Sequence, residues 1–168
     1  MIMKKLLRLG LALLLPVAAV LVVVYKAVNQ APSPELPQYE QVLEIFEDGG
    51  CLSCHSADPE VPFYAKLPVA GKIIMKDIDS GYRAYDITKF MEELKTDGEM
   101  NPVDLAKIEK VVLDDRMPMP KYYLVHWGSS LTSAKRAIVL DWIQSRRIEM
   151  YDDNLPESRA AEPVRPID

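Results

Sequence analysis

The chain has 168 residues and a formal net charge of −5 at pH 7, with only two cysteines and two histidines. This length leaves room for one compact domain of ordinary size beside an N-terminal segment, and it excludes a long repeat array. Residues 1–30 contain four basic residues and no acidic one, so the remainder carries a charge of −9. Such an acidic domain argues against a nucleic-acid partner.

The first thirty residues predict a membrane anchor. Leu9 to Tyr25 is a stretch of 17 residues without a charge, and Lys4, Lys5 and Arg8 precede it. This length is at the short end of what spans a bilayer, and the preceding positive charges favour a cytoplasmic N-terminus. A cleaved signal peptide is the alternative, but good small-x-small cleavage sites are missing after the apolar stretch. We expect an uncleaved transmembrane helix in the bacterial cytoplasmic (inner) membrane, with the remainder on the periplasmic face.

A proline-rich linker and a first helix follow the anchor. Residues 31–37 contain three prolines and predict a semi-rigid spacer. Beyond it, apolar residues recur with helical spacing up to Gly49-Gly50, at Tyr39, Val42, Leu43 and Phe46. This helix leads directly into the most informative motif of the chain.

That motif is Cys51-Leu52-Ser53-Cys54-His55, which is typical of a c-type haem attachment site. Residues three apart are neighbours on a helix, so both thiols can reach the two vinyl groups of one porphyrin. His55 then lies under the ring, where a neutral imidazole can bind the iron as the proximal ligand. The motif predicts one covalent haem c.

Three other interpretations of the cysteine pair fit the sequence less well. A thioredoxin-like pair should follow a strand, yet Cys51 follows a helical stretch. A simple disulfide leaves His55 without a role. Zinc bound by Cys51, Cys54, His55 and His126 lacks the usual spacing between histidines.

The rest of the chain predicts helices without any alternating strand pattern. Residues 56–68 contain three prolines and form a loop, in which the carbonyl of Leu67 or Pro68 is a candidate acceptor for the Nδ1 proton of His55. A helix is then expected from Val69 to Ser80, with Ile73, Ile74 and Ile78 inward and Gly81 at its end. Three more helices are expected after a cap at Asp86, after the start signal Asn101-Pro102, and from Thr132. Their inward-facing residues are Ile87, Phe90, Met91 and Leu94; Leu105, Ile108, Val111 and Val112; and Ile138, Val139, Trp142 and Ile143. The prediction is an all-α, small cytochrome c-like domain over residues 38–153, followed by a tail or linker at 154–168. Much of its core should be porphyrin contact, so removing the haem should leave it molten or unfolded.

A second iron ligand is expected from the loop before the last helix. Met117 and Met119 each precede a proline, which rules out a regular helix there. A thioether ligand would raise the reduction potential relative to a second imidazole. Met117 is preferred, with Met119 and His126 as alternatives, and packing methionines as the remaining explanation.

Several motifs together resemble a known family. They are Gly50-Cys51-x-x-Cys54-His55, Pro62-x-Tyr64-x-x-x-Pro68-x-Ala70, Asp77-Ile78-x-x-Gly81-Tyr82 and Met117-Pro118-x-x-x-Tyr122-x-x-x-His126-Trp127. This pattern resembles the N-terminal monohaem domain of membrane-anchored, trihaem bacterial cytochrome c peroxidases, also called quinol peroxidases. The resemblance extends over essentially the whole chain, to the tail at 162–166.

The resemblance implies that the domain is an electron entry point. In that family the anchored haem is thought to take electrons from membrane quinol and pass them to a di-haem peroxidase portion. Carried over by position, Cys51 and Cys54 attach the haem, and His55 and Met117 bind the iron. Met119 departs from the pattern, which usually has a second proline there. This chain also contains one haem motif where the family has three.

Three hypotheses follow. The first is a one-electron carrier that has no catalytic residues of its own and serves a respiratory complex or a di-haem peroxidase. The second is a haem enzyme or sensor with an open distal iron position, suited to peroxide or small ligands. The third is a haem-bearing assembly subunit whose iron never cycles.

Overall fold

The computed structural model describes residues 2–153, and this part of the chain is helical throughout. Seven α-helices occur there: α1 (Ile2–Val28), α2 (Gln38–Asp48), α3 (Leu52–His55), α4 (Pro68–Ala84), α5 (Thr88–Lys95), α6 (Pro102–Leu113) and α7 (Ser133–Asp153). Single 3-10 turns lie at Phe63–Lys66, Tyr122–Leu124 and Trp127–Ser129. No strand is found between residues 2 and 153, so the all-α prediction is confirmed for this range. The predicted tail at 154–168 lies outside the described residues.

Helices α2, α5, α6 and α7 enclose the hydrophobic core. Trp142 of α7 meets Phe90 of α5 edge to face at 6.1 Å between ring centroids, and Phe46 of α2 lies 5.5 Å from the same ring. The other members of the core are Val42, Ile45, Ile87, Met91, Leu94, Met100, Leu105, Ile108, Val112, Val139 and Ile143. The helical spacing in the sequence predicted most of these positions, because one apolar stripe on each helix must be buried.

The predicted helix starts are confirmed by their side-chain caps. The Asn101 side chain accepts a hydrogen bond of 2.8 Å from the amide of Val103, at the start of α6. The N-cap residue of α5 is Ile87, and the Asp86 carboxylate just before it accepts a hydrogen bond of 3.0 Å from the amide of Thr88, the first residue of the helix. These caps satisfy amides that have no partner within the helix.

Two expectations for α4 are wrong. Gly81 lies inside the helix, which continues to Ala84, and it is buried. Ile73 is half exposed, although it was expected to face inward. Helix α4 packs chiefly on the short helix α3 and on the 3-10 turn Phe63–Lys66, so its buried stripe is narrow and reduces to Gly71, Ile78 and Gly81.

Helix α1 occupies the region for which a transmembrane anchor was predicted. Within the described residues no helix is long and apolar enough to cross a membrane, so the transmembrane part of the prediction is not confirmed. The end of α1 is bonded to the domain, because the Tyr25 hydroxyl donates a hydrogen bond of 2.9 Å to the Ser130 hydroxyl. Pro32, in the segment that was predicted to be a spacer, is buried.

Candidate haem site

The haem motif follows a left-handed turn at Gly50. Gly50 has φ = +64°, a conformation that side chains rarely adopt, and it redirects the chain from α2 into α3. The amides of Cys54 and His55 then donate to the carbonyl of Cys51 at 3.3 and 3.1 Å. Cys51 and Cys54 are therefore one helical turn apart, as attachment to a single porphyrin requires.

Both cysteines are free thiols in a partly buried setting. Burial raises the pKa of Cys51 to about 12. Burial and the negative charge of Asp77 raise the pKa of Cys54. Redox-active cysteines usually have a lowered thiol pKa, so this environment does not favour a thioredoxin-like pair. No group of three or more His, Cys, Asp and Glu side chains that could hold a metal ion occurs in residues 2–153.

The imidazole of His55 is oriented by the main chain beyond α4. Its Nδ1 atom lies 2.9 Å from the carbonyl oxygen of Tyr85, and the carbonyl of His55 accepts a hydrogen bond of 2.8 Å from the amide of Ile87. A carbonyl fixes the proton on Nδ1, and this leaves Nε2 with a free lone pair for a metal. The expected acceptor at Leu67 or Pro68 is wrong. The carbonyl of Leu67 instead accepts from Gly71, in the first turn of α4.

The methionine loop is attached to the haem side of the domain. Met117 and Met119 are both half-buried, and a cis peptide bond joins Met117 to Pro118. The loop is fixed to α4 by an ion pair of 2.7 Å between Lys121 and Asp77. Both methionines thus remain candidates for the second axial ligand, because the same loop holds them.

His126 belongs to an aromatic cluster that packs against the haem motif. The Tyr64 hydroxyl lies 2.8 Å from His126 Nε2, and the Tyr122 ring is stacked on the imidazole with centroids 4.0 Å apart. The Tyr122 hydroxyl in turn lies so close to Gly50 that a Cβ there would be 2.2 Å from it. Burial lowers the pKa of His126, which keeps the imidazole neutral at pH 7. The cluster of Tyr64, Tyr122 and His126 therefore connects the turn Phe63–Lys66 and the methionine loop to the motif, and His126 Nε2 already has a partner.

The motifs quoted above contain all three residues of this cluster but do not indicate that they touch. Tyr122 and His126 are four residues apart, and Tyr64 belongs to another motif. The i, i+4 spacing of an aromatic residue and a histidine is a signal for stacking that was available. The contact with Tyr64, 62 residues away, had no local signal.

Apolar side chains remain exposed on the elements that follow the motif. Between residues 61 and 73, five are at least 48% exposed: Val61, Phe63, Leu67, Val69 and Ile73. Exposed apolar side chains on these elements are available for contact with an apolar group. Two thiols one turn apart, an oriented histidine with a free Nε2 and this apolar surface fit a haem.

The fold and the site therefore define a small helical domain that binds haem. A family model described as a haem-binding domain matches residues 16–145 of the chain. The chain belongs to this haem-binding domain family, as the motifs predicted. It is also similar to cytochrome c peroxidase Ccp of Escherichia coli (strain K12), with 35% identity over 129 residues. The match covers 76% of this chain but only 28% of that protein, and no solved structure matches.

Proposed function

We propose that the domain carries one covalently attached haem c and transfers single electrons. The bond between His55 Nδ1 and the carbonyl of Tyr85 is the observation that best supports this role. It holds the imidazole in one tautomer and one orientation before the iron binds, which strengthens the ligand and limits rearrangement when the iron changes charge. When bound, the haem supplies an iron that alternates between two oxidation states.

The chain's own residues would hold that cofactor on two sides. Cys51 and Cys54 would form the thioether links, and His55 Nε2 would bind the iron from the motif side. Met117 is the proposed second ligand, since the Lys121–Asp77 ion pair holds its loop on α4. His126 is a weaker candidate because its Nε2 is bonded to Tyr64.

Two axial ligands would leave the iron no open position for peroxide. We therefore propose an electron carrier that is not a peroxidase by itself. The relative's name is that of a peroxidase, and the chain spans little more than a quarter of its length. Electrons would enter from the quinol pool or a quinol-oxidising complex and leave to a periplasmic acceptor such as a di-haem peroxidase.

Attachment to the bacterial cytoplasmic membrane is part of the proposal. The second half of α1 exposes apolar side chains at consecutive positions, including Val20 and Val23 at 61% and 66%. Lipid is the natural environment for a helix that is apolar on every side. The haem domain would then lie on the periplasmic face, where its partners are located.

Substitution of the two methionines tests the proposal. The oxidised holoprotein should show a near-infrared thioether-to-iron band that Met117→Leu abolishes, with a lower reduction potential, while Met119→Leu keeps both. Loss of the band in Met119→Leu but not in Met117→Leu would identify Met119 as the second iron ligand. Tight carbon monoxide binding by the reduced wild-type protein, with peroxide turnover, would instead favour an enzyme or sensor with an open iron position.

A further inference from the structure

The exposed part of α1 is apolar in every direction around its axis. Residues 20–25 form an unbroken stretch in which each side chain is at least 42% exposed: Val20, Leu21, Val22, Val23, Val24 and Tyr25. Successive residues of an α-helix point about 100° apart, so this stretch surrounds the axis more than once. A single protein face could cover only one side of such a helix, whereas lipid covers all sides.

The apolar surface continues from α1 onto the haem domain. Leu21, Val22 and Tyr25 line one side of an apolar groove of about 270 Å³, and Tyr123 and Trp127 line the other. Trp127 is 44% exposed, and Val125 in the same segment is 62% exposed. The groove connects the helix to the segment that also carries His126.

Asn29 holds these two parts in one orientation. Its side-chain amide donates to the carbonyls of Tyr25 at 2.9 Å and Trp127 at 2.7 Å, and its oxygen accepts from the amide of Ser130 at 2.9 Å. The residue is buried, so these bonds are shielded from competing water. The domain is thus bonded to the helix end directly, at a fixed angle.

We infer that the segment from Tyr123 to Trp127 lies on the lipid surface and that Asn29 fixes the haem domain against it. The inference rests on the membrane attachment proposed above. Tyrosine and tryptophan suit the membrane–water interface, since each has an apolar ring and a polar group. Tyr25 of α1 and Trp127 of the haem domain lie side by side at this interface. Lys26, exposed at the same level, suits anionic headgroups.

This placement brings the haem site close to the lipid. Trp127 is adjacent to His126, which is stacked on Tyr122 beside the haem motif. A donor dissolved in the membrane would therefore reach the domain on the same side as its haem. A domain attached through a flexible linker would turn its haem side towards the lipid only part of the time.

Spin labels at single introduced cysteines can test the inference. The haem-loaded protein is suitable because Cys51 and Cys54 are expected to be consumed by the haem. Val125→Cys is the test position, and Val103→Cys is the matched control, since Val103 is a valine of similar exposure, 59%, in the first turn of α6. Val20→Cys reports on the helix itself.

The labelled proteins would be placed in vesicles of phosphatidylethanolamine and phosphatidylglycerol. Power saturation then compares collisions with oxygen, which is concentrated in lipid, and with a water-soluble nickel complex. We expect the labels at 20 and 125 to favour oxygen and the label at 103 to favour nickel. In the Asn29→Ala background, the label at 125 should shift towards nickel while the label at 20 does not.

The contrary results separate the two proposals. A label at 125 that behaves like the one at 103, with the label at 20 in lipid, would overturn the inference and leave the attachment intact. A label at 20 in water would overturn the attachment itself. Shielding of the label at 125 from both reagents would mean that a protein or a second copy covers the patch, which also overturns the inference. An unchanged label at 125 in Asn29→Ala would refute the role of Asn29.

Discussion

Gly81 of α4 lies directly against the carbonyl group of Cys54 in the haem motif. A Cβ atom at Gly81 would come within 2.6 Å of the Cys54 oxygen and 3.2 Å of its carbonyl carbon. Both are main-chain atoms of α3, which cannot move without displacing the two cysteines. The absence of a side chain at residue 81 thus allows α4 to pack on the motif.

Gly81→Ala should therefore destabilise the haem-loaded protein by about 1–3 kcal/mol, because the methyl group forces α3 and α4 apart. In a helix interior, alanine would otherwise be more favourable than glycine by roughly 1 kcal/mol. Destabilisation by Gly81→Ala would therefore be the opposite of what helix propensity alone predicts. Denaturant unfolding and the yield of haem-loaded protein measure the effect. Ser80→Ala, at an exposed position on the same helix, should be close to neutral. A stabilised Gly81→Ala protein would contradict the packing described here.

The hydrogen bond between Tyr64 and His126 predicts a measurable loss in Tyr64→Phe. Removing one partner of a partly buried bond of 2.8 Å should lower the free energy of unfolding by about 1 kcal/mol. Tyr82→Phe, at a tyrosine that is 42% exposed, should change it little. Denaturant unfolding of both variants provides the comparison. Equal effects would show that the Tyr64 hydroxyl adds nothing specific.

The ion pair between Lys135 and Asp48 predicts an asymmetry between its two partners. The Lys135 side chain is 2% exposed, that of Asp48 is 47% exposed, and they lie 3.2 Å apart. Asp48→Asn leaves a buried ammonium without a counter-charge and should cost about 1–3 kcal/mol. Lys135→Met removes the buried charge and leaves a carboxylate that water can reach, so its cost should be smaller. Urea unfolding of both variants measures the difference, and a larger cost for Lys135→Met would refute this account.

Asp86 should make the stability of the domain depend on pH. The hydroxyl and the amide of Thr88 lower the pKa of Asp86 below its usual value of 3.8 in the folded state. The ionised carboxylate therefore contributes stability above the unfolded pKa, and this contribution is lost as the pH falls through the folded pKa. Asp86→Asn retains an acceptor oxygen but not the charge. Wild type should exceed Asp86→Asn in melting temperature at pH 7, and the difference should shrink as the pH falls below 3.8 towards the lowered folded pKa. A constant difference would exclude the charge as the cause.

The position of the hydrophobic core alters the expected effect of losing the haem. Much of the core was expected to be contact with the porphyrin. Instead, fourteen buried residues form a core between α2, α5, α6 and α7 from protein atoms alone. A Cys51→Ala/Cys54→Ala protein should therefore keep slow amide exchange in α5–α7 and lose it in α3 and α4, where little is buried. Hydrogen exchange with mass spectrometry measures this. Uniformly fast exchange would restore the original expectation of a molten or unfolded protein.

The predictions from sequence succeeded where the signal was local. The caps at Asp86 and Asn101 and the apolar stripe of α7 depend on residues within a turn or two of each other. Apart from the helix end expected at Gly81, the errors concern longer distances, such as the exposure of Ile73 and the acceptor for His55. Helical spacing identifies which side of a helix is apolar, but it does not say whether a neighbouring helix covers that side.

The sequence alone determined that the domain is helical, that it belongs to a haem-binding family, and which cysteines and histidine form the motif. Those properties depend on residue types at short spacings. Only the tertiary structure decided that Tyr85 orients His55, that Tyr64 binds His126, and that Asn29 joins α1 to the domain. Two of these contacts use main-chain carbonyl groups, which every residue has, and all three join atoms that packing alone brings within hydrogen-bonding distance.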